Sequence, residues 1–272
     1  MTADPTAVPA AVGAVVDQPR RAFVAQVMGL PVSVHVRGPA AHAPEVAAAV
    51  EALFDDLRAD DALFSTWKPG SEVSRIRRGE LRLEEASARV RQVASLCTEA
   101  SRRTGGSFDA WLPGAGGVRA FDPTGLVKGW AVEQATRGLT ARLAALGAHD
   151  VLVVAGGDVL VHCERVDTPD WQVAVEDPRD RRRTLLTVPL RRGAVATSGT
   201  AARREHIVDP STGAAPSGLL SATVVGPELT WADVYATAAF VRGQGALEWL
   251  TGLAGHAAVV VTTDGAVRTT SA

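Results

Sequence analysis

VLVVAGGDVLVHC, residues 151–163, decides the fold. Two Val-rich runs of strand character flank Gly156-Gly157. A dinucleotide-binding turn would need GxGxxG spacing and a helix opening from the glycines. Neither is present, so the pair reads as a tight turn whose glycines supply positive φ. The β texture continues towards the C-terminus in WQVAVED (171–177), TLLTVPL (184–190), GAVATSG (193–199) and SATVVG (221–226). A helix at 231–243, a short one at 246–253 and a hairpin at 257–269 with Asp264-Gly265 at its tip complete this half.

Upstream of residue 151 the periodicity is helical. PEVAAAVEALFDDLRADDALF (44–64) places Val46, Val50, Leu53 and Leu57 on one stripe, and SEVSRIR (71–77) is a short helix after a Pro69-Gly70 turn. A further helix covers 86–103 and stops at Gly105-Gly106; another, KGWAVEQATRGLTARLAALG (128–147), stops at Gly147. Before them, residues 21–38 alternate as paired strands around Met28-Gly29, with Val32, Val34 and Val36 on one face and His35 on the exposed one. The expectation is an α+β fold of mixed, largely antiparallel sheets with packed helices, as a flexible tail over 1–20 and a single domain over 21–272.

Composition narrows the function classes. The 272 residues carry 28 basic and 30 acidic side chains, a formal charge of −2, so no basic footprint for nucleic acid exists. The two cysteines, Cys97 and Cys163, have no metal-ligand spacing, and Cys97 falls on an apolar stripe as a core thiol. The apolar run at 7–16 lacks a basic start, contains proline and falls short of the roughly 20 residues that span a bilayer; a cytoplasmic chain without a membrane span is expected.

Three stretches could carry chemistry. In FDPTGLVKGWAVE (121–133), Lys128 precedes its glycine and Trp130 stands where a Walker loop has Ser or Thr. What remains is a lysine at a helix start, where a cation and backbone donors could meet a phosphate. In TWADVYATAAF (230–240), Asp233 and Thr237 lie one turn apart on one face, as hard oxygen ligands for Mg²⁺ or as a helix-dipole carboxylate and a packing methyl. In HIVDPSTG (206–213), His206 has a side chain suited to proton transfer near neutral pH, with Asp209 close enough to orient it; it could equally be a surface residue.

Taken together, LFSTWKPGSEVSRI (63–76), DPTGLVKGWAVE (122–133), VAGGDV (154–159), ATSGT (196–200), HIVDPSTG (206–213) and ADVYATAAF (232–240) resemble, in order and spacing, the ApbE-type FAD:protein FMN transferases. The resemblance implies two lobes around a flavin cleft, with FAD as substrate, Mg²⁺ on its pyrophosphate, and transfer of FMN to a Thr or Ser hydroxyl of an acceptor protein with release of AMP. It implies Val127 (through its carbonyl), Asp233 and Thr237 as metal ligands, His206 as the base with Asp209 beside it, and Lys128 at the reacting phosphates. Met28, Ser65, Trp67, Ser71, Glu72, Gly156, Gly157, Asp158, Thr197, Ser198 and Gly199 would border the flavin nucleotide. Arg77 and Val154 stand where the family commonly has Asn. An FAD pyrophosphatase and a non-catalytic flavin binder are the alternative readings.

Overall fold

The computed structural model describes residues 19–113, 119–200 and 207–271. Its frame is an eight-stranded sheet in the order β1 (Arg20–Val27), β2 (Leu30–Arg37), β5 (Asp150–Ala155), β6 (Asp158–Cys163), β9 (Arg192–Gly199), β10 (Leu219–Gly226), β11 (Ala257–Thr262), β12 (Val267–Thr270). Every pairing in it is antiparallel. Two ribbons stand apart from it: β3 (Trp111–Pro113) with β4 (Arg119–Phe121), and β7 (Trp171–Asp177) with β8 (Asp180–Leu190). The fold is thus the expected α+β type.

Alternation along the central strands explains the layering. On β5, Val151, Val153 and Ala155 join the main core with α1 (Pro44–Phe64), α4 (Thr124–Ala144) and α5 (Leu229–Arg242). Leu152 and Val154, pointing the other way, pack with Val173, Val175 and Val188 of the β7–β8 ribbon. The sheet is therefore apolar on both faces at its centre, with helices covering one side and the ribbon the other. The remaining helices are α2 (Glu72–Arg77), α3 (Ala88–Arg103) and α6 (Ala246–Thr251). Cys97 is buried as expected. Among the described residues, no helix is long and apolar enough to cross a membrane.

Two local expectations need correction. The helix expected from residue 128 begins at Thr124, straight after Pro123, with Asp122 Oδ1 accepting the Thr124 amide (3.1 Å) and hydroxyl (2.6 Å) at its entry. Lys128 consequently lies in the second turn, away from the helix N-terminus. His35 is half-buried, not exposed, since its ring stands edge-on to Trp171 at 6.5 Å with Nε2 3.2 Å from Ser33 Oγ.

The ribbon is rooted by a buried carboxylate. Asp150 Oδ2 accepts from Arg37 Nε (3.0 Å) and Nη2 (2.8 Å) and from the Thr168 hydroxyl (2.6 Å), while Oδ1 accepts the Glu164 and Arg165 amides, both at 3.1 Å. The same guanidinium lies over the Trp171 ring, 4.5 Å from its centroid, at the start of β7. Burial pushes the Asp150 carboxyl up, but the Thr168, Arg165 and Arg37 donors outweigh it and hold the group below its ordinary 3.8. A depressed carboxylate stabilises the fold above its unfolded value, and that contribution is lost as pH falls through the folded one. Asp150→Ala, which strands Arg37 in a buried site, is expected to cost about 3–5 kcal/mol near neutral pH. Urea titrations should show the gap from wild type narrowing as pH drops below the ordinary carboxylate value.

Candidate active site

Three elements bring charge to one point. The Lys128 ammonium of α4 is in contact with Asp158 Oδ2, at the start of β6, and lies 3.4 Å from Asp233 Oδ1 on α5. Asp158 and Asp233 are 1% and 3% exposed, whereas the lysine side chain keeps 27% of its surface open. Asp158 Oδ1 also accepts the Thr197 amide of β9 at 3.2 Å.

Local sequence explains each placement. Gly156 and Gly157 have φ of 60° and 106° between Ala155 and its ladder partner Asp158, a two-residue hairpin turn that returns the chain with its carboxylate beneath α4. Gly129 permits the helix contact: a Cβ there would lie 3.0 Å from the Leu229 carbonyl and 3.1 Å from Asp233 Cβ. Gly199 ends β9 where a Cβ would come within 2.7 Å of the Leu220 carbonyl.

The electrostatics leave a deficit of positive charge. One ammonium stands against two carboxylates, and Asp158 Oδ2 and Asp233 Oδ2 are both buried without a hydrogen-bond partner, the first in contact with Lys128. Burial pushes the Asp233 carboxyl well above the usual carboxylate range, Asp158 adds to the rise, and Lys128 opposes it without cancelling it. For Lys128, burial alone would lower the ammonium, but Asp158 and Asp233 prevail and hold it above its ordinary value. One turn along α5, Thr237 Oγ1 lies 3.1 Å from Ser198 Oγ. A buried carboxylate oxygen and a hydroxyl one helical turn apart are hard donors of the kind a divalent cation such as Mg²⁺ accepts. Among the described residues no cluster of three or more His, Cys, Asp or Glu could hold a metal. Ligand oxygens and waters would therefore have to complete the shell.

This charge point lies at the wall of a cavity of about 1270 Å³. Of the residues expected around it, Met28, Ser65, Trp67, Gly156, Gly157, Thr197, Ser198 and Gly199 line the cavity, as do Val127, Lys128, Asp233 and Thr237. Trp67 is 93% exposed in the loop after α1. Met28 occupies the left-handed region at φ 56°, next to Gly29 at 73°, in the β1–β2 turn. A methionine held there is strained, at a cost on the order of 1 kcal/mol.

Four expected residues stand elsewhere. Asp158 lies behind Lys128 and outside the cavity lining. Ser71 caps α2, accepting the Ser74 amide (3.0 Å) and donating to the Ser65 carbonyl (2.5 Å), and Glu72 accepts the Ser87 amide (2.8 Å) ahead of α3. The Asp209 carboxylate accepts the Ser211 amide (2.8 Å) and hydroxyl (2.7 Å), bonds that hold it below its ordinary value and organise the turn. His206 lies outside the described residues, and Ile207 and Val208 after it line the cavity.

Sequence reasoning missed Asp122, which lines the cavity, holds Thr124 at the start of α4 and pairs with Arg77 Nη1 at 2.9 Å. The signal was its place two residues ahead of the helix's first threonine, where a carboxylate can hold the first turn. It also missed that the β7–β8 ribbon contributes cavity wall through Val173, Val175 and Arg181.

A family model described as the ApbE family matches residues 28–115 and 115–261. The chain belongs to the ApbE family. It is 28% identical over 134 residues to an FAD:protein FMN transferase of Haemophilus influenzae, a match covering 45% of this chain and 38% of that protein. A Rhodobacter capsulatus protein of the same name is 33% identical over 153 residues, 53% of this chain and 28% of the relative. These matches span well under half the length of those curated relatives. Among solved structures, the ApbE protein of Thermotoga maritima superposes with a TM-score of 0.78 at 22% identity, covering 92% of this chain and 96% of that one. The apo flavinyl transferase ApbE of Pseudomonas stutzeri gives 0.74 at 25% identity, covering 93% and 94%.

Gly129→Ala is expected to destabilise the protein by about 1–3 kcal/mol, because backbone on α5 must retreat from the new methyl group. Gly138→Ala on the same helix, where the Cβ meets the movable end of Arg142 at 2.9 Å, should be neutral or stabilising. Thermal denaturation of the two variants checks the contrast.

Proposed function

We propose that the protein transfers the FMN half of FAD to a Thr or Ser hydroxyl of an acceptor protein carrying a flavinylation motif and releases AMP, with Mg²⁺ as cofactor. The observation that carries this reading is the buried Asp233 Oδ2, without a hydrogen-bond partner, one helical turn from Thr237 at the wall of a cavity of about 1270 Å³. FAD is the substrate that the family and the names of the relatives support.

Asp233 and Thr237 would hold the metal, with the Val127 carbonyl a further candidate. When bound, Mg²⁺ supplies neutralisation of the pyrophosphate and of the departing AMP. Lys128, whose side chain is open towards the cavity, adds a permanent positive charge for the same phosphates. In the transfer, the acceptor oxygen bonds to the FMN phosphorus, the phosphoanhydride bond to AMP breaks, and the hydroxyl proton passes to the His206 imidazole. Asp209, occupied by Ser211, orients the turn that follows His206 and takes no proton. The exposed Trp67 ring is available to stack on a planar ring of the substrate.

The test combines purified protein, FAD, Mg²⁺ and an acceptor domain, following AMP and in-gel flavin fluorescence together. Wild type should label the acceptor with matching AMP. His206→Ala should label roughly 10²–10⁴-fold more slowly with FAD binding unchanged. AMP formed without labelled acceptor would identify a hydrolase, and intact FAD throughout would identify a binding protein.

A further inference from the structure

We infer that Asp158 is a positioning residue: it draws the Lys128 ammonium off Asp233, leaving that carboxylate free to take a divalent cation. The inference rests on the proposed cation site at Asp233 and Thr237 and deepens it.

The geometry is unequal in the way this role requires. Lys128 Nζ is in contact with Asp158 but stands 3.4 Å from Asp233, although both carboxylates are buried and within its reach. Asp158 is itself held from behind by the Thr197 amide at 3.2 Å and by the two-glycine turn, so it anchors the lysine from a rigid element. Asp233 Oδ2 makes no hydrogen bond, and Asp158 Oδ2 has its contact with the lysine alone, so the inequality lies in the two lysine distances. A lysine paired fully with Asp233 would neutralise that ligand and repel an incoming cation across a few ångströms of poorly screened space. Without Lys128, the same cation would meet two carboxylates. Asp158 thus keeps the lysine close enough to face the phosphates and too far to occupy the metal's place.

The readout is Mn²⁺ binding to the substrate-free protein, titrated by electron paramagnetic resonance in wild type, D233N, D158N, K128M and the K128M/D158N double variant. D158N should weaken Mn²⁺ binding roughly tenfold or more as the lysine swings to Asp233, and K128M should tighten it severalfold. In the K128M background D158N should weaken binding clearly less than it does in wild type, because only the loss of its own charge remains and no lysine is released onto Asp233. Equal weakening by D158N in both backgrounds would overturn the inference, showing that Asp158 acts only through its own charge. Should D158N fail to fold, K128M decides alone: unchanged or weaker Mn²⁺ binding overturns the inference. If wild type binds no more Mn²⁺ than D233N, the cation site and this inference fall together. If wild type binds and D233N does not, while D158N binds as wild type, the cation site stands and the inference alone fails.

Discussion

A half-buried lysine shared between two buried carboxylates is the constraint around which this structure is arranged. Lys128, Asp158 and Asp233 come from a helix, a hairpin and a second helix that are far apart in sequence. Burying three charges is costly unless they compensate one another, so α4, the β5–β6 turn and α5 must meet at this point. Gly129 and the Gly156-Gly157 pair let them do so, one by permitting close helix contact and the others by reversing the chain in two residues. Compensation is incomplete: burial and Asp158 raise the Asp233 carboxyl and Lys128 does not cancel the rise. Lys128 and Asp233 reach the cavity wall at this point, while Asp158 stands behind them.

The rest of the cavity is assembled from elements held by independent means. The β7–β8 ribbon is anchored at its root by Arg37 and Asp150 and stacked on the second apolar face of the sheet. The β1–β2 turn presents Met28 in a strained conformation. Asp122 links α4 to Arg77 across the wall. A substrate pocket bounded by separately fixed walls can vary in its lining without disturbing the charge point.

Legibility in the sequence followed how local the physics was. The β5–β6 hairpin was readable from alternating valines and two glycines, and the Asp233 and Thr237 pair from one helical turn of spacing. The start of α4 was placed too late because the apolar helical stripe is clearest from Val132 onward, whereas the first turn is held by Asp122 bonds to Thr124 that no periodicity announces. The departure of WQVAVED from the main sheet was not legible, since its alternation matches that of strands inside the sheet and only long-range pairing separates them. Ser71 and Glu72, expected beside the nucleotide through family resemblance, spend their hydrogen bonds on helix starts. The Lys128 and Asp158 contact joins residues on different elements that no periodicity connects.

The most direct measurement is anomalous diffraction from crystals grown with FAD and Mn²⁺. The account places a single peak at bonding distance from Asp233 Oδ2 and Thr237 Oγ1, with the FAD pyrophosphate completing the shell and Lys128 still against Asp158. A metal bound away from α5, or a pyrophosphate seated elsewhere in the cavity with Asp233 Oδ2 still unpartnered, would contradict it.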